Sequence, residues 1–200
     1  MPVSIFLAPL SFVKAELDRI TKTIPGSKEF IDEAFTIERL RQELTQNTFS
    51  IVHLATHGKF GIDSRETFLV TGKQISAAAS KPYNEKLTMN QFYQILQTVE
   101  KPLDLLTLTA CETAVGSDRD ALGIAGISIQ AGAKSAIASL WQVDDQATAE
   151  LIVQFYQNLN QGMGRAKALQ SAQKSWLQKH SDARQHPGYW AALTLVGNWL

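Results

Sequence analysis

Two kinds of hydrophobic pattern alternate along this chain. From Ser11 onward Val13, Leu17, Ile20 and Ile24 recur every three to four residues, with Lys14, Glu16, Asp18 and Arg19 between them. That spacing predicts an amphipathic helix with a polar outer face, closed by Pro25-Gly26. Thr36 is placed to cap a second helix, in which Ile37, Leu40 and Leu44 form one stripe. The period then changes. Phe49-Ser-Ile-Val-His-Leu-Ala is a short run with β-branched and aromatic residues, and it predicts a strand that delivers Thr56-His57-Gly58 to a loop. Leu103-Asp-Leu-Leu-Thr-Leu-Thr-Ala-Cys-Glu-Thr113 is a second such run and carries Cys111 at its carboxyl end.

Between these runs, Thr88-Met-Asn-Gln91 has the form of a capping box, and Met89, Phe92, Leu96 and Val99 continue it as a helix. Beyond Cys111 comes a polar loop, Ala114 to Asp120, followed by a helix of small residues from Ala121 to Ala131. Its glycines each cost about 1 kcal/mol of helix propensity, which predicts tight packing there. Gly132 closes it, and Ala133 to Trp141 is the next strand. A wide apolar face of Leu151, Ile152, Phe155, Tyr156 and Leu159 marks a helix capped by Asp144 or Asp145 and stopped by Gly162. Residues 165–179 repeat the amphipathic pattern through Ala166, Leu169, Ala172 and Trp176. Tyr189 to Gly197 reads as a last strand, and Val3 to Leu10 as a short first one limited by its proline. Gly61 to Lys86 reads as a long loop with one hairpin arm, Thr67 to Val70.

Strands alternating with helices predict an α/β fold, a three-layer α/β/α sandwich around a mostly parallel sheet, with the 200 residues forming a single domain. In such sheets sites form beyond the carboxyl ends of the strands. His57 and Cys111 are therefore expected at one rim.

Composition narrows the chemistry. Nineteen basic and nineteen acidic residues cancel, so no net charge draws the chain to nucleic acid or an anionic bilayer. No apolar run is long enough to span a membrane, and a lone cysteine forms no internal disulfide, which together predict a reducing, cytoplasmic setting. No Gly-rich phosphate loop and no Cys/His metal spacing is present, so neither metal nor organic cofactor is implied.

A cysteine attacks a carbonyl as its thiolate, and a neighbouring imidazole can take its proton and return one to the leaving amine. A Cys111/His57 pair at one rim thus suggests acyl transfer, with the backbone N–H groups of Gly58 and Cys111 as candidate oxyanion donors. The bland alternative is a small buried apolar cysteine, since free cysteine is among the most buried residue types.

The strings His53-Leu-Ala-Thr-His57-Gly58, Leu108-Thr-Ala-Cys111-Glu-Thr, Gly132-Ala-Lys-Ser, Ser139-Leu-Trp-Gln-Val-Asp-Asp145, Phe155-Tyr and Gly188-Tyr-Trp-Ala-Ala resemble, in order and separation, the CHAT domain, a caspase-like family related to separases. The resemblance implies a caspase-type sandwich and a cysteine endopeptidase acting on protein or peptide substrates, with His57 and Cys111 at the matching catalytic positions. The caspase signature itself places Gln-Ala-Cys before Arg, Gln or Gly. Here Thr-Ala-Cys is followed by Glu112, so cleavage after aspartate is not carried over. Members of the family usually carry more chain ahead of this region, often tetratricopeptide repeats. The resemblance therefore implies a fragment or minimal version that lacks upstream strands or repeats, an exposed sheet edge open to self-association, and a regulatory repeat protein as candidate partner. It also leaves open a non-catalytic interaction module built on the same fold. A small-molecule acyltransferase or hydrolase is a third option.

Other residues have two readings each. Glu112 could hold a basic substrate group or cap local backbone. Asp144 and Asp145 could form an acidic pocket for Lys or Arg before the scissile bond, or only cap a helix. His53, inside an apolar strand, reads as a packed or hydrogen-bonded core histidine, and His180 and His186 as surface residues of the tail loop.

Overall fold

The computed structural model describes residues 10–59, 67–72, 85–112, 125–141 and 144–200, with the backbone alone given for 59 and 110–112. The helices are α1 (Val13–Thr23), α2 (Ile37–Gln46), α3 (Met89–Gln97), α4 (residues 125–130), α5 (Asp145–Asn160), α6 (Arg165–Lys179) and the short α7 (Pro187–Trp190). The strands are β1 (Ile51–Lys59), β2 (Phe68–Thr71), β3 (Glu85–Thr88), β4 (Leu105–Glu112), β5 (Ser135–Ser139) and β6 (Leu193–Gly197). They form one sheet in the order β3-β2-β1-β4-β5-β6. The three central strands β1, β4 and β5 run parallel, and β2, β3 and β6 add antiparallel at the flanks.

Side-chain alternation splits the core into two layers. Leu54 of β1, Leu106 and Leu108 of β4 and Ala136 and Ala138 of β5 pack with Leu40 and Leu44 of α2, Phe92 and Leu96 of α3 and Ala125 of α4. The neighbouring positions Leu105 and Ile137 face the other way, against Ile20 of α1, Leu151, Ile152 and Phe155 of α5 and Trp176 of α6. This is the expected α/β/α sandwich.

The helix starts follow their caps. Thr36 accepts from the Arg39 N–H at 3.0 Å, and Thr88 and Gln91 make the reciprocal capping box. Gly132 and Gly162 follow α4 and α5 with φ of 105° and 87°, a left-handed backbone that side chains disfavour.

Several expectations are corrected. Gly126, expected at a tight contact, has open space where a Cβ would stand. Within 61–86, residues 68–71 and the strand start at Glu85 are sheet. Thr67 and Gly72 flank β2; residues 61–66 and 73–84, residues 3–9 of the expected strand Val3 to Leu10, the loop Ala114 to Asp120 and the expected first turn of the small-residue helix lie outside the described residues, and Leu10 itself is not in a strand. Tyr189 and Trp190 belong to α7 rather than to the last strand, because Pro187 takes the first helical position and the His186 ring accepts from the Gly188 N–H at 3.1 Å. His180 is buried at 5% exposure instead of lying on the surface. It follows Trp176 by one helical turn and meets that indole at 4.1 Å between ring centres. His186 is exposed, as expected.

Candidate active site at the strand ends

β1 and β4 are parallel neighbours over eight register pairs, from Ile51 opposite Leu105 to Gly58 opposite Glu112. His57 stands opposite Cys111 in that register. Two residues in separate sequence runs thus meet at the carboxyl ends of adjacent central strands. His57 is half-buried and Gly58 buried, and Gly58 is also the register partner of Leu69 in β2. The candidate donors Gly58 and Cys111 therefore lie in the last two steps of the ladder, Cys111 opposite His57 and Gly58 opposite Glu112. β5 ends at the same rim. After it, the Leu140 N–H donates to the Ala192 carbonyl at 2.8 Å and the Trp141 indole N–H to the Gly188 carbonyl at 3.3 Å, which ties this loop to α7.

Asp144 and Asp145 stand at the start of α5, past the end of β5. Asp144 is exposed and caps the helix, accepting from the Ala147 N–H at 2.9 Å. The Asp145 carboxylate accepts from the backbone N–H of Phe12 at 3.1 Å. Each aspartate thus has a structural use, and the second brings the start of α1 to the site rim.

A buried polar cluster lies below this rim on the α1/α5 face. Glu16 of α1, expected among the outward polar residues, is 3% exposed. The reason is positional: it follows Val13 by three residues and precedes Ile20 by four, so it sits within the apolar stripe. Its Oε1 is 3.1 Å from His53 Nε2. The same nitrogen is 3.2 Å from the Thr109 hydroxyl. The core reading of His53 therefore holds, with its partners now identified. The cluster continues to Tyr156, whose ring centre is 5.7 Å from that of His53 and whose hydroxyl donates to Thr107 Oγ1 at 2.9 Å. Burial raises the Tyr156 phenol well above its ordinary value, and the Thr107 hydrogen bond offsets this only in part. Sequence reasoning had a signal for this cluster, a lone carboxylate in a helical apolar stripe and a lone histidine in an apolar strand. It did not have the contact that joins them.

Among the described residues, no group of three His, Cys, Asp or Glu is placed to hold a metal ion, and no helix is long and apolar enough to cross a membrane.

Compared with known sequences, the chain matches the CHAT domain over residues 2–198. It is also 26% identical to mouse tetratricopeptide repeat protein 28 over 201 residues, and 28% identical to the human protein of that name over 199. Each alignment covers 86% of this chain and 8% of the relative. The chain thus corresponds to a small part of the curated relatives it matches.

Proposed function

This chain belongs to the CHAT domain family, a caspase-like family, and from that premise we propose that it is a cysteine endopeptidase with Cys111 as nucleophile and His57 as general acid/base. The observation that carries this reading is the register pairing of His57 with Cys111 at the carboxyl ends of parallel central strands, where α/β sheets build their sites. In this reading His57 takes the Cys111 proton and the thiolate attacks the scissile carbonyl carbon. The tetrahedral oxyanion is received by backbone N–H groups of the two strand ends, Gly58 and Cys111. Collapse breaks the C–N bond, His57 gives its proton to the leaving amine, and a thioester remains. Water, deprotonated by His57, then hydrolyses the thioester and restores the thiol. A substrate pocket built from Glu112, Asp144 and Asp145 is the finer part of this reading, and its acidic residues would suit a basic residue before the scissile bond.

The test is alkylation of Cys111 with iodoacetamide across pH, with and without His57→Ala. Stoichiometric modification that depends on His57 is the expected result. A thiol that reacts identically in both proteins, or not at all, removes the dyad.

A second reading, a non-catalytic interaction module, is favoured by the relatives being named as tetratricopeptide repeat proteins. It makes a repeat protein the partner, with β3 and β6, the outer strands among the described residues, as the edges that a further strand or a second copy would join. In that case Cys111→Ala binds the partner normally and loses nothing.

A further inference from the structure

The buried Glu16 and His53 have no part in the reaction just described, and their burial calls for a reason. A carboxylate taken out of water is costly unless hydrogen-bonded, and an apolar pair of similar volume is usually no less stable in its place. Yet among the described residues neither Glu16 Oε1 nor His53 Nδ1 has a hydrogen-bond partner, although Oε1 lies 3.1 Å from His53 Nε2. The contact is thus a close approach off the line of a good hydrogen bond, while the same Nε2 reaches the Thr109 hydroxyl at 3.2 Å. Both side chains are almost fully enclosed, at 2% and 7% exposure.

Their location supplies the reason. Thr109 is the register partner of Ala55, one same-face step below the register pair of His57 and Cys111. His53 lies on the same face of β1 as His57, about 13 Å from it along the strand. Glu16 is one turn beyond Phe12, whose N–H is held by Asp145 at the rim. Beside its apolar packing through Ile20, helix α1 therefore has two polar contacts, Phe12 with Asp145 at the rim and Glu16 with His53 beneath it, and His53 in turn reaches Thr109. Among the described residues, the hydroxyls of Tyr156 and Thr107 extend this cluster.

We propose that Glu16 and His53 are positioning residues for the His57/Cys111 dyad. The buried contact couples the docking of α1 to the height and spacing of the β1 and β4 ends, so the dyad reaches its working geometry only when α1 is seated. This rests on the endopeptidase reading above, but its test does not depend on turnover alone.

Removing one partner leaves the other buried and unpaired, so the informative variant is the double one, Glu16→Leu with His53→Leu, which replaces the pair with apolar volume. It is expected to fold with a melting temperature close to that of the unsubstituted chain. Its Cys111 alkylation is expected to lose dependence on His57, and kcat for a peptide substrate to fall about tenfold to a hundredfold with KM unchanged. Glu16→Gln keeps the shape of the pair and is expected to fall between the two; it carries the test if the double variant does not fold. A folded variant of either kind that reacts and cleaves like the unsubstituted chain overturns the proposal. If Cys111 of the unsubstituted chain shows no His57-dependent reactivity, the dyad falls and the positioning role with it. If that reactivity is present and survives the double substitution, the positioning role alone falls.

Discussion

His57 and Cys111 are register partners across the parallel β1–β4 pair, one step before the ladder ends at Gly58 and Glu112. Nothing in either sequence run fixes that register by itself. It follows from packing alternate residues of both strands into two separate helix layers, where a slip of one residue would turn Leu54, Leu106 and Leu108 away from α2 and α3. The apolar pattern thus excludes a one-residue slip between the two reactive residues.

The aspartates at the start of α5 separate capping from charge. Asp144→Ala removes the acceptor for the Ala147 N–H and is expected to cost about 1 kcal/mol in urea denaturation, whereas Asp144→Asn retains a good cap and costs little. If Asp144 also contributes to a pocket for a basic residue, both variants lose preference for Lys or Arg in a peptide library. Unchanged preference in Asp144→Asn leaves this residue a helix cap only.

The cap and the apolar faces were legible in the sequence because they obey local rules, as at Thr36, Thr88 and the α5 stripe. The failures share a different cause, tertiary context. Glu85 and Lys86 gave no apolar signal because β3 is an outer strand with these two side chains exposed. Tyr189 and Trp190 have strand-like composition, but Pro187 and His186 start a helical turn there. Glu16 and His180 read as solvent residues because polarity outweighed their positions on apolar helical stripes, which only their partners His53 and Trp176 reveal. For the site, the two strand ends were readable. The polar cluster beneath them was not.

Two glycines near one another are expected to respond in opposite directions to alanine. Gly126 is helical, with open space around a Cβ, so Gly126→Ala is expected to stabilise by about 0.4–1 kcal/mol. Gly132 has φ 105°, and Gly132→Ala is expected to cost about 1–2 kcal/mol. Thermal denaturation of both variants checks this, and equal shifts would contradict the difference in backbone conformation.

Tyr156 makes folding sensitive to alkali. Its phenol is raised by burial in the folded chain, while in the unfolded chain it ionises near the ordinary value of about 10. Above that pH the unfolded state releases a proton that the folded state keeps, so stability falls as pH rises. Tyr156→Phe is expected to flatten this decline. In absorbance titration the folded protein and the variant should give the same phenolate signal until unfolding. A signal lower by one tyrosine in the variant would show that Tyr156 ionises in the folded state.

The most direct measurement of the central claim is product analysis after incubation with a peptide library, for the unsubstituted chain, Cys111→Ala and His57→Ala, each confirmed folded by circular dichroism. The expected result is internal cleavage by the unsubstituted chain, none by Cys111→Ala, and a rate lower by about 10²–10⁴-fold in His57→Ala. Cleavage that persists in Cys111→Ala would contradict the account.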